Sequence, residues 1–212
     1  MALRKTFAEI VDATINEARL STATSRGIDH RDHVEEIVKR NYYMLCEEFD
    51  SWQHLELKRD ATGNRKVLQA GSRYYDWPTN LNPLKVTEAW VKWGSVWMPV
   101  TFGITYMDYS ISDPSLDQRS DPILQWDYYG GTQFEVWPFP NSDGVADGNN
   151  EIAFVGQKLP EQVTGDNSRL DMDDIVLQLL SAAEILNENQ SKNAETKGQL
   201  AQRRLWDLQQ KI

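Results

Sequence analysis

The stretch Gln133-Phe134-Glu135-Val136-Trp137-Pro138-Phe139-Pro140 divides the sheet-forming part of the chain from the part that closes it. Alternation sends Phe134 and Val136 to one face and Gln133, Glu135 and Trp137 to the other, the pattern of a half-buried strand. Pro138 and Pro140 then withhold backbone donors and fix φ, which ends the ladder. Asn141 to Asn150 is rich in Gly, Asp and Asn and has loop chemistry. Glu151-Ile152-Ala153-Phe154-Val155 alternates again and leaves through Leu159-Pro160. A long-looped hairpin followed by a helix is expected.

Moving toward the N-terminus, Gln125 to Tyr129 is a further strand, ended by Gly130-Gly131, and Asp108 to Pro122 has the turn signals of irregular structure. Val86 to Trp93 and Val96 to Val100 flank Gly94-Ser95, a Gly-first two-residue turn. Pairing about that turn sets Trp93 opposite Val96, Val91 opposite Met98 and Ala89 opposite Val100, which makes one face apolar. Pro99 cannot donate to a ladder and implies an edge. Leu55 and Leu57 alternate with His54, Glu56 and Lys58, and Asp60 to Asn64 reads as a hairpin loop from which Lys66 to Gln69 returns. A charged segment with Tyr74, Tyr75, Trp77 and Pro78 lies between these two strand pairs.

Both ends of the chain have helical period. Thr6 caps a helix carrying Phe7, Ile10, Val11, Ile15 and Ala18, and Ser21 to Gly27 breaks it. Asp29 or Asp32 caps a second helix with the stripe Val34, Ile37, Val38, Leu45 and Phe49, antiparallel to the first. After Gly165, Asp171, Asp173 and Asp174 open a helix with Ile175, Leu179, Ala182, Ala183 and Leu186. Ser191 or Asn193 starts a last one with Leu200, Arg204, Leu205, Leu208 and Ile212. The fold class is therefore α+β: terminal helices at 1–50 and 166–212 form a small bundle, and an antiparallel β domain at 51–165 is inserted between them.

At 212 residues the chain can bury a real core. A net charge of −10 without a basic patch argues against gripping nucleic acid through its phosphates. The one cysteine, Cys46, excludes an internal disulfide and fits a reducing compartment, and Glu9 and Asp12 interrupt any signal-peptide apolar region. No apolar run reaches membrane-spanning length. Eight tryptophans and eight tyrosines supply rigid aromatic surface for cores or interfaces.

The order of two N-terminal helices, an aromatic-rich β segment, Phe134-x-Val136-Trp137-Pro138-Phe139-Pro140, the return Ile152-x-Phe154 and an acid-capped Ala-rich helix resembles the head-to-tail adaptor (connector) proteins of tailed bacteriophages, especially those of short-tailed phages. The resemblance covers nearly the whole chain as a pattern, and the return strand departs from it in having no aromatic after Phe154. It implies a virion protein at the head-tail junction, assembled in the host cytoplasm as a homo-oligomeric ring, typically of twelve copies, beneath the portal protein. Such a ring joins the portal to a tail or nozzle protein and passes double-stranded DNA. In that family the paired helices build the ring, the β part faces the tail and the C-terminal segment reaches toward the portal.

Two surfaces follow as expectations. Arg203, Arg204, Leu205, Trp206, Leu208 and Ile212 spread apolar and aromatic surface round more of the last helix than one packing stripe needs, so this segment is expected to dock on the portal and to order on binding. The loop with Asn141, Asp143, Asp147 and Asn149 is expected to touch a neighbouring subunit or tail component, and its shortening to leave the fold intact. An acidic channel wall would let DNA slide.

Other constellations have simpler accounts. His30-x-x-His33 with Asp29, Asp32 and Glu36 is a weak metal signature and reads as a solvated first helical turn. In Asp143-x-x-x-Asp147-Gly148, Val145 stands where a calcium loop needs an oxygen ligand, and Phe154 where it needs a bidentate glutamate. Asp171-x-Asp173-Asp174 reads as a helix start, and Cys46 beside Glu47 and Glu48 is poorly placed for a nucleophile. No Gly-rich nucleotide loop or Gly-x-Ser-x-Gly elbow occurs, so no enzyme, metal or cofactor is expected, although a triad assembled in three dimensions stays open. The alternative is a sugar-binding or glycoside-hydrolysing β domain, in which Trp52, Trp77, Trp90, Trp97, Trp126 and Trp137 would stack on carbohydrate.

Overall fold

The structure, a computed structural model, describes residues 5–18, 27–48, 55–61, 63–111 and 116–210. In chain order the elements begin with α1 (Phe7–Glu17), α2 (Gly27–Glu48), β1 (Glu56–Leu57), β2 (Arg65–Val67), β3 (Tyr74–Asp76), β4 (Leu81–Trp93), β5 (Val96–Phe102) and α3 (Tyr106–Ile111). They continue with β6 (Gln125–Tyr129), β7 (Gln133–Trp137), β8 (Glu151–Lys158), α4 (Asp174–Glu188) and α5 (Asn193–Gln209). The class is α+β, with helices toward both ends of the chain and a curled mixed sheet. Two compact units result, Met1–Leu55 with Pro160–Ile212, and Glu56–Leu159.

In the helical unit, Thr6 and Glu9 form a reciprocal capping box: Glu9 N–H donates to Thr6 Oγ1 at 3.3 Å and Thr6 N–H to the Glu9 carboxylate at 2.8 Å. Phe7, Ile10 and Val11 are buried. The α1–α2 pair is antiparallel, because Asp12 meets Arg31 at 2.5 Å while Phe7, earlier in α1, lies under Lys39, later in α2. Since α2 starts at Gly27, Asp29 and Asp32 lie inside its first turns and neither is its cap; Phe49 lies outside the described residues. Asp173 caps α4, accepting from Ile175 N–H and Val176 N–H at 3.1 Å each. Of the expected α4 stripe, Ala182, Ala183 and Leu186 are buried, whereas Ile175 is exposed and Leu179 half-buried, and Val176, Leu177, Ser181 and Ile185 are buried beside them. The helix packs against α1, α2 and α5 at once, so burial follows three neighbours rather than one stripe.

In the β unit the strand order is β1-β8-β4-β5-β6-β7-β3, with β2 also on β8. All pairings are antiparallel except β5 with β6, so the sheet is mixed. The β4–β5 hairpin has the expected register: Trp93 opposite Val96, Val91 opposite Met98, Ala89 opposite Val100. Ala89, Val91 and Val100 are buried, but Val96 is exposed, so the apolar face is covered only away from the turn. Pro99 lies where, among the described residues, β5 has no strand partner on its far side, β6 joining only at Thr101 and Phe102.

Four expectations are corrected. First, β7 and β8 do not form a hairpin: β6 and β3 occupy the two edges of β7, while β4 and the β1 and β2 segments occupy those of β8. The two strands instead face each other across the curled sheet, with the Phe134 and Phe154 rings edge-on at 4.9 Å. Nor is β7 half-buried, since Glu135 and Trp137 on its second face are covered too. Second, β1 and β2 run one after the other along β8, Leu57 pairing with Gly156 and Arg65 with Ala153. Asn64 closes the gap by donating to Lys58 O at 2.8 Å and Phe154 O at 2.6 Å. Third, the charged segment contributes β3, and β4 begins at Leu81, its register broken between Leu81 and Glu88. Gly156 sits at that break, where a Cβ would meet Lys85 O at 2.4 Å. Fourth, the start of Asp108–Pro122 is helical, because Thr105 and Asp108 cap α3: Thr105 N–H donates to Asp108 Oδ2 at 2.7 Å.

Candidate assembly surfaces

Along α5, Ala201 is buried and Ala194, Leu205 and Leu208 pack on the core formed with α4. Arg204 donates to Asp173 Oδ2 at 2.9 Å, and this partner holds its guanidinium above the usual arginine range. The expected portal-binding set is thereby divided. Arg204, Leu205 and Leu208 serve their own unit, Ile212 lies outside the described residues, and Arg203 and Trp206 face solvent, Trp206 at 60 % exposure. Leu200, also exposed, lies six residues before Trp206 on the same helix. In this structure α5 is formed and packs on α4.

The loop 141–150 is fastened to its own unit. Asp143 accepts from Ala70 N–H at 2.8 Å, Asp147 pairs with Arg65 at 2.6 Å, and Asn149 accepts from Gly94 N–H at 2.6 Å. Asn141 N–H donates to Asp121 at 3.0 Å, and the fully buried Asn150 donates to the same carboxylate at 2.9 Å. At Gly144 a Cβ would meet Asn150 O at 2.4 Å. Shortening this loop would remove these hydrogen bonds to the β unit. The side chains of Asn141, Asp143, Asp147 and Asn149 are nevertheless exposed around Val145, which is 63 % exposed.

The second face of β7 is covered by a cluster that the sequence does not announce. Arg73 pairs with buried Glu135 at 2.5 Å, and its guanidinium lies over the rings of Tyr74, Tyr109, Trp137 and Phe139 at 4.6–5.9 Å. Tyr109 O–H donates to Glu135 at 2.8 Å, and burial, then the Glu135 contact, raises its pKa. The cluster clamps α3 onto the sheet.

The described tryptophan candidates for stacking on sugar are engaged in packing. Trp77 meets Phe134 and Phe154, and Trp126 meets Trp77 and Phe154, in the interior of the β unit, while Trp137 packs against Tyr109. Arg59 lies over Trp90 and Trp97, and Arg65 and Lys92 over Trp97, so cations occupy the ring faces that a sugar would need. Trp52 lies outside the described residues. Among the metal candidates, His33 contacts Glu188 at 2.8 Å, the His30 side chain is outside the described part, and Asp143 and Asp147 are engaged as above. Asp171 and Cys46 are buried in the helical unit.

A family model described as SU10 adaptor protein matches residues 6–211, from the cap of α1 to beyond α5. No curated protein sequence matches the chain.

Proposed function

Because the chain belongs to the SU10 adaptor protein family, a family of phage head-to-tail adaptors, we propose that copies of it form a ring, twelve in number, that joins the portal protein to the tail or nozzle and lines the DNA channel. The observation that carries this reading is the extent of the match, which takes in both compact units and not one shared module. The protein acts as a structural component of the virion at the head-tail junction, assembled in the host cytoplasm, and not as an enzyme.

Within this reading α5 meets the portal through Leu200, Arg203 and Trp206. Trp and Arg dominate interface energetics, and a helix already held by Arg204 and Asp173 presents them without an ordering cost. Arg204, Leu205 and Leu208 support that surface from behind. The rim of the loop 141–150, with Asn141, Asp143, Asp147 and Asn149, contacts a neighbouring subunit or the tail. A net charge of −10 is compatible, within this reading, with a channel wall that repels the duplex and lets it pass without binding.

The test is co-sedimentation with portal rings. Trp206→Ala with Arg203→Ala is expected to weaken attachment at least tenfold with an unchanged melting temperature, whereas full attachment by the double variant removes α5 from the contact.

A further inference from the structure

In α3 three large outward side chains are left mostly uncovered by the described residues: Tyr106, Met107 and Ile111 are 85, 71 and 75 % exposed, and Leu116, further along the chain, is 69 % exposed. The helix is nevertheless held firmly from behind. Tyr109 O–H donates to Glu135, Trp137 Nε1–H donates to Asp108 O at 3.2 Å, and Ile104 N–H donates to Asp127 at 3.1 Å. A six-residue helix tied through Tyr109 to the Arg73–Glu135 ion pair, with Tyr106, Met107 and Ile111 outward beside an exposed Ser110, is a preformed and largely apolar contact surface.

We propose that this surface is covered by a second copy of the chain. The inference rests on the ring reading above and names the face that neighbours share. Two arguments select the occupant. Contiguous apolar patches of roughly 300–600 Å² mark interaction sites on a protein surface, and the exposed side chains of Tyr106, Met107 and Ile111, within one and a half turns of α3, make a patch of that order. Identical chains of charge −10 also repel one another and can approach closely only where charge is spent. This is such a place: among the described residues from 104 to 119, Asp108 is turned into the Thr105 cap, and Asp117 pairs with Arg119 at 2.7 Å. A permanent contact between copies is more apolar than a transient one, as this face is.

The experiment places a photo-cross-linking residue at Met107 in the full chain within assembled portal–adaptor complexes, and counts copies per portal by native mass. A cross-link between two adaptor copies is expected, and Met107→Asp is expected to reduce the copies retained per portal at least fivefold while leaving the melting temperature of the free chain unchanged. Cross-links only to portal or tail protein, or none, overturn the inference. If several copies per portal are counted alongside that result, the ring reading stands without it; one copy per portal sinks both.

Discussion

Arg204 and Asp173 lie 2.9 Å apart, and Asp173 spends its other oxygen capping α4. One carboxylate thus fixes the start of α4 and the second half of α5, and it keeps α5 in place with Trp206 facing outward.

Asp173→Ala removes the cap and the ion-pair partner together, and is expected to cost about 1–2 kcal/mol, mostly through the cap. Arg204→Ala, at a side chain more than a third exposed, is expected to cost under ~1 kcal/mol. Urea unfolding of both single variants and the double variant should show a positive coupling; strict additivity would mean that the pair is incidental.

Glu135→Ala would leave Arg73 among four rings without its carboxylate, a loss of about 3–5 kcal/mol by the rule for breaking buried pairs. Tyr109→Phe removes one hydrogen bond to that carboxylate and is expected to cost ~1–2 kcal/mol. Thermal unfolding followed by tryptophan fluorescence reads both. A Glu135→Ala variant as stable as the parent would contradict the clamp.

Gly144→Ala drives a Cβ against the backbone oxygens of Asn150 and Leu68, so the fold must shift to accept it. It is expected to destabilise by more than ~1 kcal/mol, whereas Val145→Ser, at the exposed tip, is expected to be neutral in stability and to reveal any contact of the loop with a neighbour or tail component. Parallel melting and tail-attachment assays separate the two effects.

Asp108 is held below the ordinary aspartate pKa by donation from the Thr105 side chain and backbone. A depressed folded-state pKa gives stability that is present above the unfolded value and is lost as pH falls through the folded one. The α3 cap is therefore expected to persist at neutral pH and to fail only in acid below the usual carboxylate range. Thr105→Ala should raise the Asp108 pKa in an NMR titration; an unmoved value would show that the cap is not what depresses it.

Local signals were legible wherever a residue's partner lay nearby in the chain. Gly94-Ser95 fixed the β4–β5 register, Thr6 marked α1, and the run Asp171, Asp173 and Asp174 marked α4, because each acts within a few residues of itself. Strand pairing was not legible for Gln133–Trp137 and Glu151–Lys158. Their alternation says that each has a face to bury, but not that Arg73, Tyr109 and β3 will cover the second face of β7, nor that Gly156 lets β4 approach β8. The last helix was read in part. Its excess apolar surface was visible, but the division between Leu205 and Leu208, packed inward, and Leu200 and Trp206, facing outward, depends on where α4 lies. The Thr105-x-x-Asp108 box was present in the sequence and would have marked α3.

The most direct measurement is the native mass of portal rings incubated with the full chain, supported by electron microscopy of the same complexes. A closed ring of twelve copies on one end of each portal, lost on combining Trp206→Ala with Arg203→Ala, is the expected result. Portals that bind no copies, or that bind a single copy without a ring, would contradict the assignment of this chain as the piece that joins portal to tail.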